Sequence, residues 1–208
     1  VSAADDAYSY AKQRILDGRF AAGEMISEGD VAGPTGLSRT PVREAFLRLE
    51  VEGMLRLYPK RGALVVAVSP AEIESVMETR LLVELHGLGQ AVERRAAVVG
   101  QLEAVLQRQE ALIEAGDDDG FVEADREFHR VLVAATGNSI LLDLHDSMRD
   151  RQTRMGLTAI ARDEDRMREI LGEHKAIVAA IGSEDPDAAG KLLEAHLGRT
   201  LDLLRRAD

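Results

Sequence analysis

The sequence predicts a mainly α-helical chain in two parts, three helices with a small β-hairpin followed by an antiparallel all-helical bundle. Three observations carry that prediction. Aromatic residues are only 3% of the chain, and Val, Ile and Thr rarely cluster, so helices cored by Leu, Ile, Val and Ala are favoured over sheet. One segment alone alternates like a strand pair. After Ser69-Pro70, an N-cap followed by proline at the first helical position, every apolar pattern has a helical period. The boundary divides the chain into residues 1–68 and 69–208.

The elements follow in order. Helices are expected over about 5–17, ending at Gly18, from about 28, and over about 39–52, ending at Gly53. Leu57, then Leu64, Val66 and Val68, alternate around Pro59-Lys60-Arg61-Gly62, the pattern of a hairpin with a basic tip. Beyond Ser69, breaks at Gly100, Gly116–Gly120, Gly137-Asn138, Gly156–Ala161 and Gly182–Asp187 divide the chain into about six helices joined by short connections, as in an antiparallel bundle. No internal repeat stands out, and Asp117-Asp118-Asp119 reads as a solvated turn.

Composition narrows the function classes. The 208 residues are 45% hydrophobic and 30% charged, a globular balance able to bury a core without staples. No apolar run is long enough to span a bilayer, so no membrane partner is expected, and the absence of a secretory pattern makes a cytoplasmic location the expectation. Without cysteine there is no disulfide, no thiolate metal site and no thiol nucleophile. The net charge of −11 is unevenly placed: residues 1–69 are neutral, residues 70–208 carry all of it, and residues 37–69 hold six basic against three acidic side chains. A locally basic module is joined to an acidic one.

The third helix opens Leu37-Ser38-Arg39-Thr40-Pro41-Val42-Arg43-Glu44, with Ser38 as N-cap and Pro41 in the first turn. At 100° per residue Val42, Ala45, Phe46 and Leu49 share one face, while Arg39, Thr40 and Arg43 share the other. A recognition helix needs this division, since its N-terminal residues reach base edges and phosphates while the rest packs on its own domain. The arginines are equally readable as a solvated face. Three helices and a basic-tipped hairpin make a winged helix-turn-helix, with Lys60, Arg61 and Gly62 placed to meet the DNA backbone or minor groove. The run Gly36-Leu-Ser-Arg-Thr-Pro-Val-Arg-Glu-Ala45, continuing Leu47-Arg-Leu-Glu50 and Glu52-Gly53, resembles the signature of the GntR family of bacterial transcription regulators. Ile15-Leu-Asp-Gly-Arg-Phe20, Gly23-Glu24 and Ile26-Ser27-Glu28 are similar to the family's first helix and its exit, so the resemblance spans about residues 7–68. It implies DNA contacts at Arg39, Thr40, Arg43 and Gly62. Two departures stand out: Gly29 occupies a position usually basic in the family, and Pro34 predicts a short or distorted second helix.

In the second part, Asp125 and His129 are i,i+4 neighbours on the face of Phe121, Phe128 and Leu132. His174 lies on the stripe of Ile170, Ile177 and Ile181, and His196 on that of Leu192, Leu193, Thr200 and Leu203. One carboxylate and three imidazoles directed into a core are costly unpaired, and a divalent cation would satisfy all four. Each histidine alone is also readable as a hydrogen-bonded core residue. His86 and His145 lie on apolar stripes too, and are read as structural or as supporting residues.

Arg80 lies on the inward stripe of Ile73, Met77, Glu84 and Leu88. It either pairs internally with Glu84 or grips a carboxylate whose other end meets the metal. Arg149, with Arg151, is a further pocket candidate. The region from about 70 to 206 resembles the FCD ligand-binding domain of the FadR branch of GntR regulators. The resemblance rests on Glu78-Thr-Arg80, Asp125-Arg-Glu-Phe-His129, Glu173-His174 and Ala195-His196. It implies Asp125, His129, His174 and His196 as ligands of a metal, often zinc, at the floor of an effector pocket, and the six-helix count resembles the shorter VanR-like form. Cysteine-free N/O ligation suits Zn, Ni, Mn or Fe. The expectation is a homodimeric, DNA-binding repressor of palindromic double-stranded operators that senses a small carboxylate, and not an enzyme. The alternative is a metal-dependent hydrolase or lyase using the same Asp/His3 set; the sequence gives it little, since a catalytic metal site commonly adds a general base and no inward carboxylate stands out beyond Glu78 and Glu84.

Overall fold

The structure, a computed structural model, describes residues 2–161 and 165–206. The chain folds as two compact units, residues 1–68 and residues 69–208.

The first unit holds α1 (Ala3–Leu16), β1 (Met25–Ile26), α2 (Glu28–Thr35), α3 (Arg39–Val51), β2 (Leu55–Tyr58) and β3 (Gly62–Val65). Helix α1 starts in a capping box, in which Ser2 and Asp5 satisfy each other's backbone N–H groups. Helix α2 is short, carries Pro34 in its last turn and stops at Gly36, whose φ of 69° is open to glycine without strain. Ser38 stands at the N-cap of α3 as expected, but its side chain makes no capping hydrogen bond. Ala7, Ala11 and Ile15 of α1, Val31 of α2 and Val42, Ala45, Phe46 and Leu49 of α3 close on one core with Ile26, Leu55, Ala63 and Val65.

The strands form an antiparallel sheet in the order β1-β3-β2. Two features differ from the sequence reading. Strand β1 is two residues long, too short to leave a periodic signal. The hairpin's burial phase is also shifted: Leu55, Ala63 and Val65 are buried, while Leu64, Val66 and Val68 are half-buried. The pairings Leu55 with Val65 and Leu57 with Ala63 set the register in which the small Ala63 is buried on the core face. Gly62, at φ 105°, lies so close to β1 that a Cβ there would meet the Ile26 carbonyl oxygen at 2.3 Å. The wing is thereby seated on the body of the unit.

The second unit contains seven helices among the described residues: α4 (Pro70–Glu93), α5 (Arg95–Ala115), α6 (Asp118–Ala134), α7 (Ser139–Ser147), α8 (Arg149–Ile160), α9 (Arg166–Gly182) and α10 (Pro186–Arg205). The sequence reading expects six. Gly100 and Gly156 lie inside α5 and α8 rather than between helices, and the true corners are single residues, Arg94 and Met148. Gly156 serves packing, because a Cβ there would meet Val122 Cγ1 at 2.8 Å across the contact between α8 and α6. Helix α6 touches α4, α5, α7 and α8, and α10 packs on α4 and α9. Phe121, Phe128 and Leu132 of α6 are fully buried, as are Ile177 and Ile181 of α9 and Leu193 of α10. No described helix is long and apolar enough to cross a membrane.

Candidate functional site

On the first unit, Arg39, Thr40 and Arg43 are exposed at the start of α3, opposite its buried Val42-Ala45-Phe46-Leu49 face. A groove runs from this helix to the hairpin tip and is lined by Arg39, Arg43, Lys60, Arg61 and Gly62. Its floor is not purely basic. Arg43 donates to Glu28 of α2 at 2.8 Å through Nε, and its Nη2 lies 2.8 Å from the same carboxylate oxygen. Lys60 reaches the tip at φ 63°, so both tip cations stand outside the sheet. Gly62 is half-buried against β1, and any DNA contact there falls to its backbone.

In the second unit α6, α9 and α10 bring Asp125, His129, His174 and His196 together. One ligand-type atom from each lies within 4.8 Å of the others. The imidazoles are buried, and the carboxylate is 22% exposed. His174 Nε2 is 3.6 Å and His129 Nε2 3.9 Å from Asp125 Oδ1, and His196 Nε2 is 3.2 Å from His129 Nε2.

The opposite ring nitrogens show why these atoms converge. His174 Nδ1 is 3.0 Å from Gln109 Oε1, His129 Nδ1 is 2.7 Å from Glu84 Oε2, and His196 Nδ1 contacts Glu173 Oε2. The oxygen beside each Nδ1 favours a proton there, through hydrogen bonds at His174 and His196 and through the close approach of Glu84 Oε2 at His129, a tautomer that directs three Nε2 lone pairs inward. In that tautomer the centre gathers four acceptors, and among the described residues the buried Asp125 Oδ1 and His174 Nε2 have no hydrogen-bond partner, nor do Glu84 Oε2 and His129 Nδ1, whose 2.7 Å approach is an ion-pair contact. Burial is the largest influence holding His174 well below its ordinary value of 6.5, and the neighbouring His196, His129 and Arg80 add to it. Burial lowers His196 as well, against the opposing pull of Glu173. Neutral imidazoles with outward Nδ1–H groups tied to carboxylate or amide oxygens are the form that ligates divalent metals. The donor set fits such an ion.

Beside the cluster lies a small cavity whose polar wall is Arg80, Asp125, Arg126, Gln152, His196 and Thr200, with Phe121, Met155, Ile160 and Ile170 opposite. Arg80 is buried and pairs with Glu84 through Nε at 2.8 Å. The internal pair and the cavity-facing position thus coexist. Arg80 Nη1 makes a long 4.0 Å contact to Met77 Sδ.

Several sequence-based expectations change. Arg149 is exposed, pairs with Glu123 at 3.1 Å and does not line the cavity; it sits at the first position of α8, directed to the helix surface. Arg151 is likewise exposed and bonded to Glu72. Glu78 is exposed rather than inward. His86 is exposed beside Leu82, whereas His145 is fully buried with Nε2 3.7 Å from Glu84 Oε1 and 3.5 Å from Gln152 Nε2. Gln109 was missed. Its polarity within the apolar row Leu102, Val105, Leu106 of α5 was the available signal. Arg126 was missed because its i−3 partner Glu123, at 2.7 Å, makes the sequence read as an ordinary surface pair, although Arg126 is buried.

Three helices with an adjoining hairpin define a winged helix-turn-helix protein, here joined to an all-helical second unit. Residues 3–65 match the family model "Bacterial regulatory proteins, gntR family", and residues 75–199 match the FCD domain. The chain belongs to the GntR family of DNA-binding transcriptional regulators and carries an FCD domain. It is 30% identical over 205 residues to an HTH-type transcriptional regulator from an unstable DNA locus of Streptomyces ambofaciens, covering 97% of this chain and 84% of the relative. It is 29% identical over 208 residues to the transcriptional repressor RspR of Escherichia coli K12, covering 96% and 87%. A solved GntR regulator from Rhodococcus sp. RHA1 superposes with a TM-score of 0.78 at 23% identity over the full length of both chains, a likeness of fold. The family and these relatives are regulators, not enzymes.

Proposed function

We propose that the protein is a homodimeric repressor whose helical unit holds a divalent metal, zinc being the first choice, and responds to a small carboxylate. The observation that supports the sensing half is the convergence of ligand-type atoms of Asp125, His129, His174 and His196 within 4.8 Å of one another. Asp125, His129, His174 and His196 would hold the ion, which when bound supplies a Lewis-acidic contact for an anion. Arg80 would bind the anion's other end, in a cavity whose remaining wall is part polar, with Arg126, Gln152 and Thr200, and part apolar, with Phe121, Met155 and Ile170.

On the first unit Arg39, Thr40 and Arg43 would read the major groove, and Lys60, Arg61 and the Gly62 backbone would hold the sugar-phosphate backbone or minor groove. Two heads on a palindrome bind more tightly than one, which favours the dimer. The name of the Escherichia coli relative favours repression as the sign of control. An effector controls such a protein only by binding its DNA-competent and DNA-incompetent forms with different affinity.

The test is metal content per chain of gently purified protein beside His174→Ala, followed by operator binding with and without added carboxylates. About one metal per wild-type chain, lost in the variant while the winged unit stays folded, is the expected result. Full occupancy in His174→Ala refutes the ligand assignment.

A further inference from the structure

Glu84 is fully buried, yet it touches charged or polar groups from three directions. Its Oε1 accepts from Arg80 Nε at 2.8 Å, its Oε2 lies 2.7 Å from His129 Nδ1, and His145 Nε2 approaches Oε1 at 3.7 Å. Arg80 lines the cavity and His129 belongs to the imidazole cluster. One carboxylate therefore pairs with the cavity's buried cation and lies against a cluster imidazole at once. In a dry interior its charge cannot satisfy both neighbours fully.

We propose that Glu84 is the switch through which an anion in the cavity and a divalent cation in the cluster strengthen each other's binding. The inference rests on the metal and carboxylate reading above. A cation drawing on His129 Nε2 makes the Nδ1–H a stronger donor and pulls Glu84 charge toward the imidazole. Arg80 is then less neutralised and offers more of its charge to an anion. Conversely, an anion on Arg80 competes with Glu84 for the guanidinium and leaves the carboxylate to His129, raising the imidazole's basicity as a ligand. Linkage makes the two effects equal in size. A direct bond between anion and metal is a separate source of coupling and does not depend on Glu84.

The test uses the full chain, Zn2+ as the metal probe and formate, the smallest carboxylate, as the anion probe. Zinc affinity is measured by chelator competition with and without formate, and formate affinity by calorimetry on zinc-loaded and zinc-stripped protein. In the wild type each ligand is expected to tighten the other by a factor on the order of ten. In Glu84→Gln, which keeps an acceptor oxygen but removes the charge, zinc is expected to weaken about 10–100-fold, the loss typical of removing an outer-shell partner. Formate is expected to bind zinc-stripped Glu84→Gln more tightly than zinc-stripped wild type, because Arg80 has lost its counter-ion, and most of the coupling disappears. A purely structural role for Glu84 lowers both affinities together. The double variant Arg80→Met/Glu84→Gln keeps the weakened zinc and loses the formate gain.

Independent binding of zinc and formate to the wild type overturns the inference, as does undiminished coupling in Glu84→Gln. If that single variant does not fold, the wild-type cycle and the double variant decide the matter, undiminished coupling in the double variant again overturning it. Wild-type protein that binds neither probe overturns the functional reading together with the inference.

Discussion

Gly87 sits where α4 crosses α6, and the crossing can be tested by adding one methyl group. A Cβ at Gly87 would lie 2.4 Å from the Leu132 carbonyl oxygen, 2.7 Å from its carbon and 2.9 Å from Val133 Cα. All three are backbone atoms of α6, so no side chain can turn aside. Bringing the carbon to an ordinary C···O separation of about 3.3 Å requires the helices to part by about 0.9 Å. Forced overpacking of this kind costs about 1–3 kcal/mol. The substitution also removes an interior helical glycine, which alone stabilises by about 1 kcal/mol. With the clash at the upper end of that range Gly87→Ala is expected to be net destabilised by up to about 2 kcal/mol, a fall in Tm of up to roughly 4–8 °C for a chain of this size. Gly100 of α5 supplies the control, since it is exposed and a Cβ there meets nothing within 4 Å. Gly100→Ala should gain most of the propensity term, about 0.5–1 kcal/mol. Thermal and urea unfolding of both variants checks the pair. If Gly87→Ala rises in stability as Gly100→Ala does, the close α4–α6 crossing is wrong.

Other expectations concern the first unit. Arg43→Ala should weaken operator binding by about 1–3 kcal/mol and relax preference at one base position if the guanidinium reads a base; equal losses on operator and random DNA in a fixed-salt shift assay would assign it to phosphate instead. Lys60→Ala and Arg61→Ala should each weaken binding across sequences and reduce the salt slope by about one, and an unchanged slope removes the tip from the interface. Asp5 should titrate at about 2 instead of 3.8, first because the Ser2 backbone N–H donates to it and then because Arg48 lies beside it. The capping contribution is then complete above about pH 4 and lost as pH falls through about 2, which carboxyl 13C shifts of Asp5 across that range would show or deny.

The parts legible in sequence were those governed by local period. The inward phase of Asp125, His129, His174 and His196 follows from helical spacing against Phe128, Ile177 and Leu193, so three different helices could be oriented before their meeting was known. That they meet is a tertiary fact. The same limit hid the partners of the imidazoles: Gln109, Glu84 and Glu173 come from α5, α4 and α9, and nothing local links any of them to the ring it orients, except that Glu173 precedes His174 while bonding His196. Arg149 is a different case: no apolar stripe places it in the sequence, and in the structure it stands exposed at the first position of α8. In the wing, the alternation of Leu64, Val66 and Val68 marks the strand, but the buried face carries Ala63 and Val65, which hydrophobicity alone does not single out. Gly100 and Gly156 misled equally as breaks, one tolerated on an exposed helix surface and the other required by contact with Val122.

The glycine at 87 and the carboxylate at 84 belong to one constraint. Glu84 is one turn from Gly87 on α4, and His129 is one turn from Leu132 on α6. A glutamate reaches only a few bonds from its backbone, so 2.7 Å between Glu84 Oε2 and His129 Nδ1 requires α4 and α6 to run unusually close at that level. Gly87 permits that approach by presenting no Cβ to the Leu132 carbonyl. Any substitution that parts these helices therefore lengthens the Glu84–His129 contact before it disturbs the cores on either side. It follows that Gly87→Ala should weaken zinc binding by a larger factor than its stability loss implies, and a variant destabilised as worked above but with wild-type zinc affinity would separate the helix crossing from the cluster.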